Sequence, residues 1–303
     1  MKKLFLVFLS LVVFAFVFSS CTKHASPTAT EDPVFAGGDY RMKTYEMFSS
    51  GIKQSSITFI YGNGGMTPTA ATVTNYDSAG SVSTTSNVTY DSLGNTAASS
   101  VYDPDGNLLE RVEPKITGGL LTRVDYYDGS NNLMQYITYQ YNAAGQQTRQ
   151  DLYNSSGVLQ SSTGTTYNAS GSVTAVDNYS GGILASNTVN TYDSSGNMTR
   201  SDMYIGGLLY TYMISQYDSA GNPTVATTYD STDAVTGTTT ITYNAANCPV
   251  EAHTSMTMMG FAMSMDIYYT YNAIGMPTEI NTSQSMMGMV VLQTKNVFTY
   301  ESF

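Results

Sequence analysis

The 303-residue sequence contains no tryptophan, only two cysteines and two histidines, and only 12% charged residues. Two Cys and two His leave little room for structural zinc, and with His24 and His253 alone a Ser/His/Asp triad would rest on His253. No Gly-x-Ser-x-Gly elbow, P-loop or His-Glu-x-x-His helix occurs, so the sequence gives no sign of an enzyme or of a cofactor. Basic residues are scarce as well, 12 against 23 acidic ones, and no Lys/Arg cluster follows residue 3. A chain of net charge −11 without a basic patch has no electrostatic footprint for a phosphate backbone, which removes nucleic acid from the expected partners. What is abundant is Tyr, 25 copies, together with Gly, Ser, Thr and Asn, a composition of strands and turns rather than helices.

Residues 1–20 start with Lys2 and Lys3, continue through apolar runs from Leu4 to Leu9 and Leu11 to Phe18, and end in Ser19-Ser20 before Cys21. This is the layout of an export signal, too short and too interrupted for a membrane-spanning anchor. The Cys after two small residues resembles the lipobox of bacterial lipoproteins, with Phe18 departing from the usual aliphatic residue. That resemblance implies a lipid on Cys21, a membrane attached through it, and an address at the bacterial cell envelope. Residues 21–38 hold two Pro and no periodicity, and read as a tether that includes a solvated His24.

The body, residues 39–303, is a repeat. Tyr followed by Asp or Asn, with Gly three residues later, recurs at Tyr76, Tyr90, Tyr102, Tyr141, Tyr153, Tyr167, Tyr192, Tyr217 and Tyr271. Two Tyr registers interleave, one through Tyr141, Tyr167, Tyr192, Tyr217 and Tyr243, the other through Tyr102, Tyr127, Tyr153, Tyr179, Tyr204 and Tyr229, each with a period of 25 or 26 residues. Asx side chains bond their own downstream backbone and Gly accepts positive φ, so each motif is a hairpin loop. Degenerate turns near Gly118, Gly260 and Gly288 bring the count to about 18 turns between Tyr61 and Tyr300. The expected fold is all-β, a long antiparallel meander forming one twisted or rolled sheet.

These motifs resemble the YD-repeat, or Rhs-type, family, whose hairpins form extended sheets that wind into hollow shells in long members. The Arg-Tyr before Tyr-Asp and the Gly-Arg-Leu after it are mostly replaced here by Thr, Gln, Asn and Ser, and neither an Rhs core nor a C-terminal toxin follows. The resemblance therefore implies architecture, and is greatest to YD-repeat lipoproteins of Bacteroidota.

Alternation places Arg149, Asp151 and Tyr153 on one face, with Asp177 and Tyr179, Arg200, Asp202 and Tyr204, and Arg123, Asp125 and Tyr127 in equivalent places. Repeated in register, these would form level columns with carboxylates roughly 10 Å apart. Three uses follow for that face: an ion-pair lattice that keeps the sheet soluble, a Tyr platform for polysaccharide or an envelope protein, and the alternative of a glycan-active enzyme with paired carboxylates. Asp103-Pro104-Asp105-Gly106-Asn107 echoes a calcium loop but lacks its distal Glu. Nine Met lie within 256–289, near His253, and read as flexible packing or as soft ligands for Cu(I).

Overall fold

The computed structural model describes residues 40–302 except 63, 64, 66, 92, 93, 259 and 274; the signal, Cys21 and the tether lie outside the described residues. Twenty strands follow one another: β1 Tyr40–Ser49, β2 Ile52–Tyr61, β3 Pro68–Tyr76, β4 Val82–Tyr90, β5 Thr96–Tyr102, β6 Leu108–Thr117, β7 Leu120–Asp128, β8 Leu133–Tyr141, β9 Gln147–Asn154 and β10 Leu159–Tyr167. The second half continues with β11 Val173–Ser180, β12 Ile183–Tyr192, β13 Met198–Ile205, β14 Leu208–Tyr217, β15 Pro223–Asp230, β16 Val235–Tyr243, β17 Pro249–Met258, β18 Phe261–Tyr271, β19 Pro277–Met286 and β20 Met289–Ser302. Each pairs antiparallel with its neighbours in sequence, and β1 pairs with β20 from Tyr40↔Ser302 to Ser49↔Thr294. The rolled sheet is thus a closed barrel, which leaves no free strand edge. Twenty strands about 4.8 Å apart and tilted about 40° give a wall roughly 120 Å around, wider inside than one layer of side chains fills.

The repeat motif supplies the loops. At Tyr192, the Asp193 N–H bonds the Asn197 carbonyl at 2.9 Å and the Gly196 N–H bonds the Asp193 carbonyl at 3.1 Å, while Gly196 sits at φ 83°. This is a type I turn closed by a left-handed Gly. The Asp193 carboxylate accepts the backbone N–H groups of Ser195 and Asn197 and the Asn197 amide, which hold its pKa below the usual range. Where the motif is absent, two-residue turns take over at Gly181-Gly182, Gly206-Gly207 and Ser50-Gly51, with positive φ at both residues. Ser50-Gly51 makes a hairpin upstream of Tyr61 that the Tyr spacing does not predict.

β8, β10, β12, β14 and β16 each end in a Tyr whose hydroxyl reaches back to the preceding odd strand. Tyr141 donates to the Leu121 carbonyl, Tyr167 to Gln147, Tyr192 to Val173, Tyr217 to Met198 and Tyr243 to Pro223, at 2.7–2.8 Å. These acceptors open the odd strands, so one Tyr register ties successive hairpins together.

The two faces differ. Where the wall curves, convex side chains splay and concave ones crowd. On one face Thr58, Thr89, Thr166, Thr191 and Thr240 are exposed, whereas on the other Thr163, Thr188, Thr239, Thr282 and Thr294 are half-buried and Thr254 is buried. The first face is the outer wall. Ion pairs from Lys53–Glu46 to Lys295–Glu279 lie on it, while Arg41–Glu301 ties β1 to β20. The inner face carries the core: Ile241, Ala252, Met265, Ile267 and Ile280 cluster across β16 to β19 beneath Tyr243, Tyr269 and Phe298.

Candidate binding surface on the outer wall

Asp151, Asp177, Asp202, Tyr153, Tyr179 and Tyr204 all face outward, as the alternation predicts, but they do not form level columns. Asp151 pairs with Ser162 and Ser162 with Tyr179; Asp177 pairs with Asn187 and Asn187 with Tyr204. Pairing thus advances two residues or so farther than the repeat at each hairpin, because closing a barrel requires the register to stagger. Asp in one repeat stands level with Tyr in the next, which corrects the expected carboxylate ladder.

Each carboxylate is also occupied. Both oxygens of Asp151 accept from Arg149 Nε at 2.9 Å, Asp202 accepts from Arg200 Nε at 2.7 Å, and Asp177 bonds the Asn187 amide. Asp125 is 1% exposed and lies between Lys115 and Arg123. Burial opposes ionisation of Asp125 and Asp151, yet the adjacent cations hold both carboxyls below the ordinary range.

The tyrosines enter stacks. Tyr153 lies on Tyr136 with centroids 4.9 Å apart and planes 14° from parallel, and Arg123 covers the far side of Tyr136 at 3.7 Å. Tyr229, Tyr212 and Arg200 repeat the pile, with centroids at 4.8 Å and the guanidinium at 4.0 Å. Tyr212 further donates to Asp233 at 2.7 Å, which raises its pKa. Such piles stiffen the wall and use ring faces that a ligand would otherwise meet. Tyr204 instead lines a groove of about 270 Å³ with Leu184, Asn187, Val189 and the Gly206-Gly207 turn.

The larger concavity, about 710 Å³, spans the closure of the barrel, from β18 across β19 and β20 to β1. Phe48 and Tyr268 supply its aromatic surface, and Asn281, Ser283 and Gln293 supply neutral donors and acceptors. Its charged members are engaged, Glu46 with Lys53 and Lys295 with Glu279. No motif marks this groove, since its walls come from opposite ends of the chain and share only the pairing of β1 with β20.

Other sequence-derived sites separate or close up. His253 is on the outer wall against Asp266, at 2.5 Å, while Met256 and Met263 pair on the inner face, so His253 cannot join them around one ion. The Asp103 carboxylate accepts the Asn107 backbone and amide N–H groups, both at 2.8 Å, within its own turn. Cys248 is buried as a free thiol.

No family model matches the sequence, and no curated protein does. Among solved structures, similarity extends to a porin-like protein from Bacteroides uniformis, with TM-score 0.33, 11% identity, and 86% of this chain and 98% of that chain covered. A porin-like protein from Bacteroides vulgatus gives TM-score 0.29 and 9% identity over 88% of this chain and all of that one. TcdB2-TccC3 gives 0.32 and 12% over 82% of this chain but only 18% of its own, so this chain spans about a fifth of its length. Likenesses at this level transfer no property to this chain.

Proposed function

We propose that the protein is an exported, lipid-anchored, non-catalytic barrel of the cell envelope, a YD-type repeat scaffold that binds neutral, hydroxyl-rich polymers such as glycans in the groove across its closure. The observation that carries this reading is the lining of that groove, two aromatic rings among amides and hydroxyls, with its charged members Glu46 and Lys295 already paired. Rings take the apolar faces of sugars while amides and hydroxyls take their OH groups, and the volume lies within the range of ordinary ligand sites. The pairing of Asp151 with Arg149 favours binding over glycan hydrolysis, because a carboxyl held below its ordinary range by an adjacent guanidinium is a poor general acid. The outer wall also speaks against a membrane-spanning barrel: a lipid-facing band must be apolar, and this wall carries ion pairs at Asp125, Asp151 and Asp202.

The test is titration of the mature protein with neutral oligosaccharides, beside Tyr268→Ala and a Tyr153→Ala/Tyr179→Ala/Tyr204→Ala variant. Affinity should fall about tenfold or more for Tyr268→Ala with unchanged melting, in line with the loss of one stacked ring. Binding unaffected by Tyr268→Ala, or absent from the wild type, would overturn the proposal.

A further inference from the structure

The two rims of the barrel are chemically different. At the rim where odd strands turn into even ones, β2, β12, β14, β16, β18 and β20 begin with Ile52, Ile183, Leu208, Val235, Phe261 and Met289, all exposed. The remaining even strands do the same through Val82, Leu109, Met134 and Val158. All ten even strands therefore expose a large apolar side chain at or next to their first residue, on the same rim. Leu208 is 76% exposed and Ile183 75%, and both follow Gly-Gly turns that push them to the extreme end of the barrel. Met287, at 62%, crowns the β19–β20 turn in the same way. Six of the even-strand side chains, on β12, β14, β16, β18, β20 and β2, are 40–76% exposed and follow one another around the closed rim, a run of apolar surface of the kind that marks an interaction site. The opposite rim is built from polar loops such as Asn142-Ala-Ala-Gly145 and Asp193-Ser-Ser-Gly196.

We infer that this apolar rim docks end-on into a zwitterionic lipid bilayer, its hairpin tips entering the interface while the polar wall stands in water. Two observations select lipid over a second copy of the chain. The same rim carries Asp77, Asp103, Asp105, Asp128, Asp230 and Asp233 in its other turns, while Lys53 and Arg111 beside them are held by Glu46 and Glu113. Two copies meeting rim to rim would oppose six carboxylates to six, with the described rim cations Lys53 and Arg111 already paired, whereas the ammonium groups of zwitterionic headgroups complement them. The second observation is chain length. Tyr40 begins β1 at the opposite rim, and the 19 steps back to Cys21 span at most about 65 Å, well beyond a wall about 25 Å high. An anchor at Cys21 can therefore reach the membrane beneath the apolar rim, although the docking itself does not depend on it.

The experiment uses the full mature chain with Cys21→Ala, so that no lipid contributes, and phosphatidylcholine vesicles. Because the sequence has no Trp, Leu208→Trp gives a single reporter at the rim and Ile60→Trp one near the opposite end. The Leu208→Trp emission should shift to the blue on adding vesicles and be quenched by brominated acyl chains, with Ile60→Trp unchanged. Adding phosphatidylglycerol should weaken the response, and Ile183→Ser with Met289→Ser should reduce co-sedimentation about tenfold or more. No shift at Leu208→Trp, or an equal shift at Ile60→Trp, would overturn the inference. So would a dimer in solution that the Ile183→Ser/Met289→Ser pair dissociates and that vesicles do not displace.

Discussion

Asp125 and Tyr300 make the stability of this barrel depend on pH at opposite ends of the scale. The Asp125 carboxyl, although buried, is held below its ordinary value of 3.8 by Lys115 and Arg123, so the stability it contributes is present above that value and is lost as pH falls through the lower folded one. Tyr300 donates to the Pro277 carbonyl, and burial pushes its phenol up to about 12; burial raises Tyr45 and Tyr269 as well. A raised pKa works with the other sign: the contribution is complete below pH 10 and is lost on the way to 12. Denaturant titrations should therefore give a plateau from about pH 5 to 9, with the unfolding free energy falling between pH 10 and 12. A constant unfolding free energy from pH 9 to 12 would contradict that burial.

At the scale of one hairpin, the loop and the Tyr after which it turns are a single device. Gly196 has open space where a Cβ would stand, so the cost of a side chain there is conformational and not steric. Gly196→Val places a β-branched residue at φ 83° and should destabilise by about 2 kcal/mol, read as a lower melting temperature; an unchanged melt would remove the left-handed assignment. This level was legible in the sequence. Tyr-Asp-x-x-Gly names the Asx acceptor and the left-handed Gly, and counting from Tyr61 to Tyr300 gives the 18 turns that join β2 to β20. The Ser50-Gly51 hairpin was not legible, because a two-residue turn needs neither Asp nor the preceding Tyr. Nor was the job of the Tyr141–Tyr243 register, whose acceptors are backbone carbonyls that no side-chain pattern reveals.

The whole molecule depends on quantities that a repeat hides. A period of 25 or 26 residues predicts level Asp columns, but closure demands stagger, and Asp151 ends level with Tyr179. Strand count and alternation survived this shift because the side-chain period is two, and all six residues singled out from the sequence did reach one face. The groove was invisible for a different reason: Phe48 and Tyr268 meet only if the first strand finds the last. Closure is accordingly the central claim, and it can be measured by cross-linking. Thr44 and Thr299 face each other across β1 and β20 with hydroxyls 2.6 Å apart. With Cys21 and Cys248 replaced by Ser, Thr44→Cys/Thr299→Cys should oxidise to an intramolecular disulfide in the native protein, seen as a faster-migrating species under non-reducing conditions, while Thr44→Cys/Thr240→Cys should not. Failure of the first pair to cross-link, or equal cross-linking of both, would contradict the closed barrel and with it the groove built on its seam.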